Sequence, residues 1–223
     1  RRLARWGVGA PVEAWRYATR GVDVHRTEIE SIDEMFEVSR LPRRLAVGVQ
    51  TMASGVGPAF HRTYSARVVG APTTPAALLG SLERNFDAAL PGGLAEVDDT
   101  ELRYEVGDEL RIHLAGPWDA PVRVIAAAPA RLRLATLQGH MEAGEIEFRI
   151  EQPGAAGELE LVIESWARSS GPAFAALYHP LGLAKEVQLH MWATVLERLA
   201  RRSGGEIVDG IRVITRRREP ADA

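Results

Sequence analysis

Cysteine is absent from all 223 residues, which excludes disulfides, iron–sulfur clusters, thiolate zinc sites and a cysteine nucleophile together. Lysine is nearly absent too: Lys185 is the only one among 27 basic residues, the rest being arginine. No apolar run approaches the roughly 20 residues that a membrane-spanning helix needs, and stretches such as Val124 to Ala130 fall far short, so no integral membrane association is expected. Neither sign of charge dominates. The 27 basic and 30 acidic residues leave a net charge of −3, so no global field draws nucleic acid or an anionic membrane. The arginine clusters at Arg43-Arg44, Arg201-Arg202 and Arg216 to Arg218 are scattered, and no nucleic-acid surface is expected.

Familiar catalytic signatures are missing as well. Gly55-Val56-Gly57 runs into Pro58 and lacks the third glycine of a dinucleotide fingerprint, and no glycine-rich loop precedes Lys185. There is no Gly-x-Ser-x-Gly elbow and no His-Glu-x-x-His helix, so neither a cofactor nor a metal is expected. Arg1-Arg2-Leu3-Ala4-Arg5 leads into no apolar stretch of signal-peptide length, and a cytoplasmic location is the expectation.

What is present is ordinary globular text, 46% hydrophobic and 26% charged, long enough to bury one substantial core. Residues 1–55 read as an N-terminal extension whose Trp6, Trp15 and Tyr17 favour packing on the body. From Phe60 to Val69 the text is strand-like, with Arg62, Tyr64, Ala66 and Val68 on one parity. A helix follows, capped by Thr73 or Thr74 and opened by Pro75, with Leu78, Leu79, Leu82, Phe86 and Leu90 at helical spacing.

Between Leu102 and Trp166 five or six strands alternate with turn signals, at 102–106, 109–115, 121–128, 131–138, 145–151 and 158–166. After Pro172 a short helix and then a long one, Leu181 to Arg202, lead to a last strand at 207–215. This order predicts an α+β fold in which a curved antiparallel sheet grips a long C-terminal helix. The expected division is 1–55, a main domain at 56–216, and a polar tail at 217–223.

The long helix carries an anomaly. At about 100° per residue, Leu181, Trp192, Val195, Leu196 and Leu199 share one side, with Leu189 at its edge. Lys185 and Gln188 fall on that same side, while Glu186, His190, Glu197 and Arg201 fall opposite, on the face expected to be wet. A buried ammonium is costly unless paired or set against a hydrated cavity, which points to a pocket between helix and sheet. A structural pairing of Lys185 with a carboxylate accounts for the pattern equally. His140 and Glu142 sit in a turn, where a solvated hairpin tip competes with an acid–base role.

The segments Val106-Gly107-Asp108, Gly116-Pro117-Trp118-Asp119-Ala120-Pro121, Thr136-Leu137-Gln138-Gly139-His140-Met141-Glu142-Ala143-Gly144-Glu145, Glu164-Ser165-Trp166-Ala167-Arg168 and Lys185-Glu186-Val187-Gln188-Leu189-His190-Met191-Trp192 together resemble the domain-of-unknown-function family 1990. That family is placed in the SRPBCC group, with the Bet v 1-like and START-like fold. Many members read Tyr-Gly-Thr-Leu-Pro-Gly-His where this chain has Leu134 to His140, and the extension suggests a longer subgroup. The resemblance implies a helix-grip fold: a seven-stranded antiparallel sheet around a hydrophobic cavity. It implies no reaction.

The expected function is binding of a small hydrophobic or amphipathic molecule. Trp192, Leu189, Phe148 and Ile163 would form apolar wall, and Lys185, Gln188 and Thr136 would orient its polar group. An enzyme of the cyclase or dehydratase kind, using Lys185 or His140 as acid or base, is the second reading. An interaction module with a filled cavity is the third.

Overall fold

The computed structural model describes residues 21–30, 40–92, 95–97, 104–114, 119–178 and 183–219, the side chains at 176–178 and 183–185 excepted. A single nine-stranded sheet dominates. Its strands are β1 (Val24–Glu30), β2 (Val56–Val69), β3 (Ala95–Val97), β4 (Glu109–Leu114), β5 (Asp119–Ala128), β6 (Arg131–Thr136), β7 (Glu142–Glu151), β8 (Leu159–Ser169) and β9 (Glu206–Arg218). Four helices accompany it: α1 (Arg43–Ala46), α2 (Pro75–Glu83), α3 (Pro172–Tyr178) and α4 (Leu183–Ser203). The spatial order is β1-β9-β2-β8-β7-β6-β5-β4-β3, with every neighbouring pair antiparallel except β1 and β9.

This is the expected α+β helix-grip, widened from seven strands to nine. The additions lie at opposite edges. On one side β1 joins from within the N-terminal extension, Val24 opposite Ile211 and Glu30 opposite Arg217. On the other, β3 pairs with β4 in place of the strand expected at 102–106. Of that segment, 101–103 lie outside the described residues, and Tyr104 turns to φ 53°, which no strand accommodates. The last strand continues through Arg218, so Arg216 to Arg218 pair with β2.

Local chemistry explains the boundaries. Thr74 caps α2 by accepting the Ala77 N–H at 3.2 Å, with Pro75 in the first turn. The helix stops at Glu83, short of Leu90, yet a 3-10 turn at Asp87–Ala89 keeps Phe86 and Leu90 buried. Asp87 holds that turn to β3 by accepting the Val97 N–H at 3.1 Å. Irregularities between Ala66 and Arg67 against β9, and between Val124 and Ala126 against β6, give the long strands places to bend.

The core lies between the concave face and α2 with α4. Phe148 is its centre, edge-on to Trp192 and to Phe86, each with ring centroids 5.5 Å apart. Strand register divides the concave face into two zones. The row Val213–Tyr64–Ile163–Phe148 across β9, β2, β8 and β7 is apolar apart from one hydroxyl. Two residues along each strand the row becomes Thr215–Arg62–Ser165–Ile146, and polar groups take over.

Gly144 stands at the entrance to the polar zone, opposite Ala167, and has no room for a side chain: a Cβ would meet the Trp166 carbonyl oxygen at 1.9 Å. Gly144→Ala is therefore expected to cost about 2–3 kcal/mol in urea denaturation, because β7 and β8 must separate to admit one methyl group. A loss below about 0.5 kcal/mol would show that the two strands yield freely there.

Candidate functional site

Arg62 enters the concave face on the parity that buries Tyr64, Ala66 and Val68, and is itself only 5% exposed. Its guanidinium lies 4.6 Å from the centre of the Phe60 ring and donates from Nη1 to Gln188 Oε1 at 2.8 Å. That is its one hydrogen bond among the described residues, and Nε finds no acceptor there. From the opposite end of its amide, Gln188 Nε2 donates to both oxygens of Glu142, at 3.0 and 2.9 Å. A cation from β2 and a carboxylate from β7 are thus joined through one neutral side chain of α4.

Burial pushes the Glu142 carboxyl up, while the Arg62 charge and the Gln188 bond oppose that rise. Both oxygens act as acceptors toward Gln188, the arrangement expected of the ionised form. Burial also pushes the neighbouring Tyr64 hydroxyl up to about 12, so it stays protonated at neutral pH. Arg62 and Glu142 open on a cavity of about 430 Å³ between the β1–β9–β2–β8–β7 sheet and α3. Ile29, Pro58, Phe60, Ala167 and Ala175 give it apolar wall. Glu28, Glu30, Arg168 and Arg217 complete its charged lining, and Ser169 and Thr215 add hydroxyls. At the rim Arg26 of β1 grips Glu186 of α4 with two hydrogen bonds, 2.8 and 3.0 Å.

The residues anticipated from sequence are scattered and do not form one site. Gln188 is at the cavity, through Arg62 and Glu142. Leu189 lines a void of about 10 Å³ beside Arg62 and Tyr64. Trp192, Phe148 and Ile163 are 6%, 2% and 1% exposed in the packed core, and none of them lines either cavity. The Trp192 indole N–H has no acceptor among the described residues.

Thr136 is committed to the backbone, accepting the Gly144 N–H at 3.0 Å with the carbonyls of Gln50 and Gly144 at 3.1 and 3.2 Å. His140 is half-buried, where burial lowers its pKa to about 4; its Nδ1 accepts the Glu142 N–H at 2.8 Å, which fixes the neutral ring. Lys185 belongs to α4, but its side chain lies outside the described residues. His190, expected on a wet face, is 7% exposed. Its flank of α4 is the one that Glu186, a turn earlier, turns toward the added strand β1.

A second polar cluster occupies the convex face. His61 stacks on Trp166 with centroids 5.3 Å apart and its Nε2 lies 2.6 Å from Glu164, which also accepts from Arg149. Burial alone would raise the Glu164 carboxyl, but the His61 and Arg149 hydrogen bonds outweigh it and hold the pKa at about 2. The His61 ring and the Arg149 guanidinium both engage the Glu164 carboxylate, so the groups of this cluster satisfy one another. Nor do three or more histidines and carboxylates converge as a metal site among the described residues. No helix among them is long and apolar enough to cross a membrane.

The pattern of the domain of unknown function DUF1990 matches residues 43–204, most of the chain. The protein is a member of the DUF1990 family. No curated protein matches this DUF1990 chain. Among solved structures it is similar to a START superfamily protein from Mycobacterium smegmatis, at 13% identity and TM-score 0.45, over 64% of this chain and 99% of the other. It is similar also to norcoclaurine synthase from Thalictrum flavum in complex with dopamine and hydroxybenzaldehyde, at 13% identity and TM-score 0.44, over 76% and 98% of the two chains.

Two outcomes test this account of the DUF1990 chain. Gln188→Leu leaves a buried guanidinium and a half-buried carboxylate without their bridge and should lower stability by about 1–3 kcal/mol in urea denaturation, more than an exposed helix position. The Glu164 pKa is depressed, so its contribution is whole above the ordinary carboxylate pKa of 4.5 and drains as pH falls toward about 2. The stability gap between the wild type and Glu164→Gln should therefore be widest near neutral pH and close by about pH 2. A gap independent of pH contradicts the pairing.

Proposed function

We propose that this protein binds a small amphipathic molecule in the cavity between the sheet and the short helix α3. The observation that carries this reading is the 430 Å³ cavity with an apolar wall at Ile29, Pro58, Phe60, Ala167 and Ala175 beside a buried, under-bonded arginine. Its volume is in the usual range for small-ligand sites, and apolar surface with a few convergent polar groups is their usual chemistry. A guanidinium that is 5% exposed and makes one hydrogen bond among the described residues has donor capacity left, which a ligand acceptor reaching it would use.

In this reading the polar end of the ligand is oriented by Arg62 and Glu142, with Gln188 holding the two in register. Trp192, Phe148 and Ile163 then serve as the floor on which the site is built. Leu189 packs beside Arg62, and Thr136 and His140 fix the backbone that carries Glu142. A cytoplasmic location remains part of the proposal and is compatible with the lack of cysteine.

Native mass spectrometry of the purified protein should reveal a non-covalent small-molecule adduct that organic solvent releases. Ala175→Trp, which places an indole in the cavity from α3, should reduce adduct occupancy by about tenfold or more while leaving the melting temperature within a few degrees. An adduct retained at full occupancy in that variant would move the ligand elsewhere.

A further inference from the structure

Arg62 and Glu142 are bridged, not directly paired. The bridge is a primary carboxamide, whose carbonyl accepts from Arg62 Nη1 at 2.8 Å and whose nitrogen donates to the carboxylate at 2.9 and 3.0 Å. The two charged groups therefore stand one amide apart. Both also line the 430 Å³ cavity, so the same spacing of donor and acceptor is presented to its contents. Each has capacity left: Arg62 has one hydrogen bond among the described residues, and a carboxylate accepting two bonds has lone pairs for two more.

The charges around this pair decide which head group fits. Glu28, Glu30 and Glu142 line the cavity against Arg62, Arg168 and Arg217, three of each sign. A carboxylate drawn to Arg62 comes against Glu142, and an ammonium drawn to Glu142 comes against Arg62. Arg62 is 5% exposed and Glu142 half-buried, so a like-charge approach to either is less screened than one at the exposed Glu28, Glu30 or Arg217. A neutral group with acceptor and donor side by side meets neither penalty.

Resting on the amphipathic-ligand reading above, we infer that the cavity selects an uncharged head of the carboxamide class, its carbonyl accepting from Arg62 and its N–H donating to Glu142. Gln188 is the internal copy of that head. The apolar wall from Ile29 to Ala175 receives the tail, whose length the head-group geometry leaves open.

Calorimetric titration with octanamide, octanoate and octylammonium at neutral pH tests this, because the three probes share a tail and differ in head charge. The wild type should bind octanamide about tenfold or more tightly than either ion. Glu142→Gln removes the opposing anion and should improve octanoate about tenfold relative to octanamide; Arg62→Met should do the same for octylammonium. Thermal melting of both variants establishes that they are folded, and the wild-type ranking stands independently of them.

A wild-type preference for octanoate or octylammonium overturns the inference, as does an unchanged ranking in folded variants. Binding of none of the three also overturns it. The broader ligand-binding reading is judged separately, by the mass-spectrometric adduct and its loss in Ala175→Trp.

Discussion

Setting a buried guanidinium near a half-buried carboxylate on one concave face is the central constraint of this molecule. A buried ion without a partner is costly, and β8 lies between the strands that carry these two. Gln188 resolves the conflict by giving each charge a hydrogen bond while holding them apart. The helix must present residue 188 at the right height and rotation, which Trp192 secures one turn further on by packing edge-on against Phe148. Core packing and site geometry are two parts of the same helix–sheet contact.

That contact explains why the floor of the grip is hard and its mouth polar. Along β2, β8 and β9 the inward residues change from Tyr64, Ile163 and Val213 to Arg62, Ser165 and Thr215 in a single step of strand register. Behind the step the side chains interlock and exclude a guest. Ahead of it the sheet is still curved and the helices still overhang, but the groups between them are ones that need partners. A pocket beneath Lys185, with Trp192 in its apolar wall, was the expectation from helix periodicity. The register places the described opening one row nearer the mouth.

The sequence made the hairpin series legible because antiparallel strands with glycine- and proline-marked turns are local features, and α4 legible because its apolar face recurs at 3.6 residues. Strand β1 was not legible, for a physical reason. Its inward positions, Arg26, Glu28 and Glu30, face the polar mouth and the rim, so Val-His-Arg-Thr-Glu-Ile-Glu carries no hydrophobic alternation, and its partner strand is far away in the chain. Gln188 was readable as a polar residue on an apolar face. Arg62 and Glu142 left a fainter trace: each shares the inward parity of its strand, with Tyr64 and Ala66 in one case and Ile146 and Phe148 in the other. Only cross-strand register brings them under the same amide.

One wall of the cavity is supplied by Glu28, Ile29 and Glu30 from β1 and by Thr215 and Arg217 from β9, which are neighbours in the sheet. Both strands fall outside residues 43–204, the span that carries the family pattern. The common body therefore provides the cation, the carboxylate and the bridging helix, while the edge strand β1 and its neighbour β9 provide this cheek. Glu28, Glu30 and Arg217 are exposed there, so the cheek can be re-cut by substitution without disturbing a core contact.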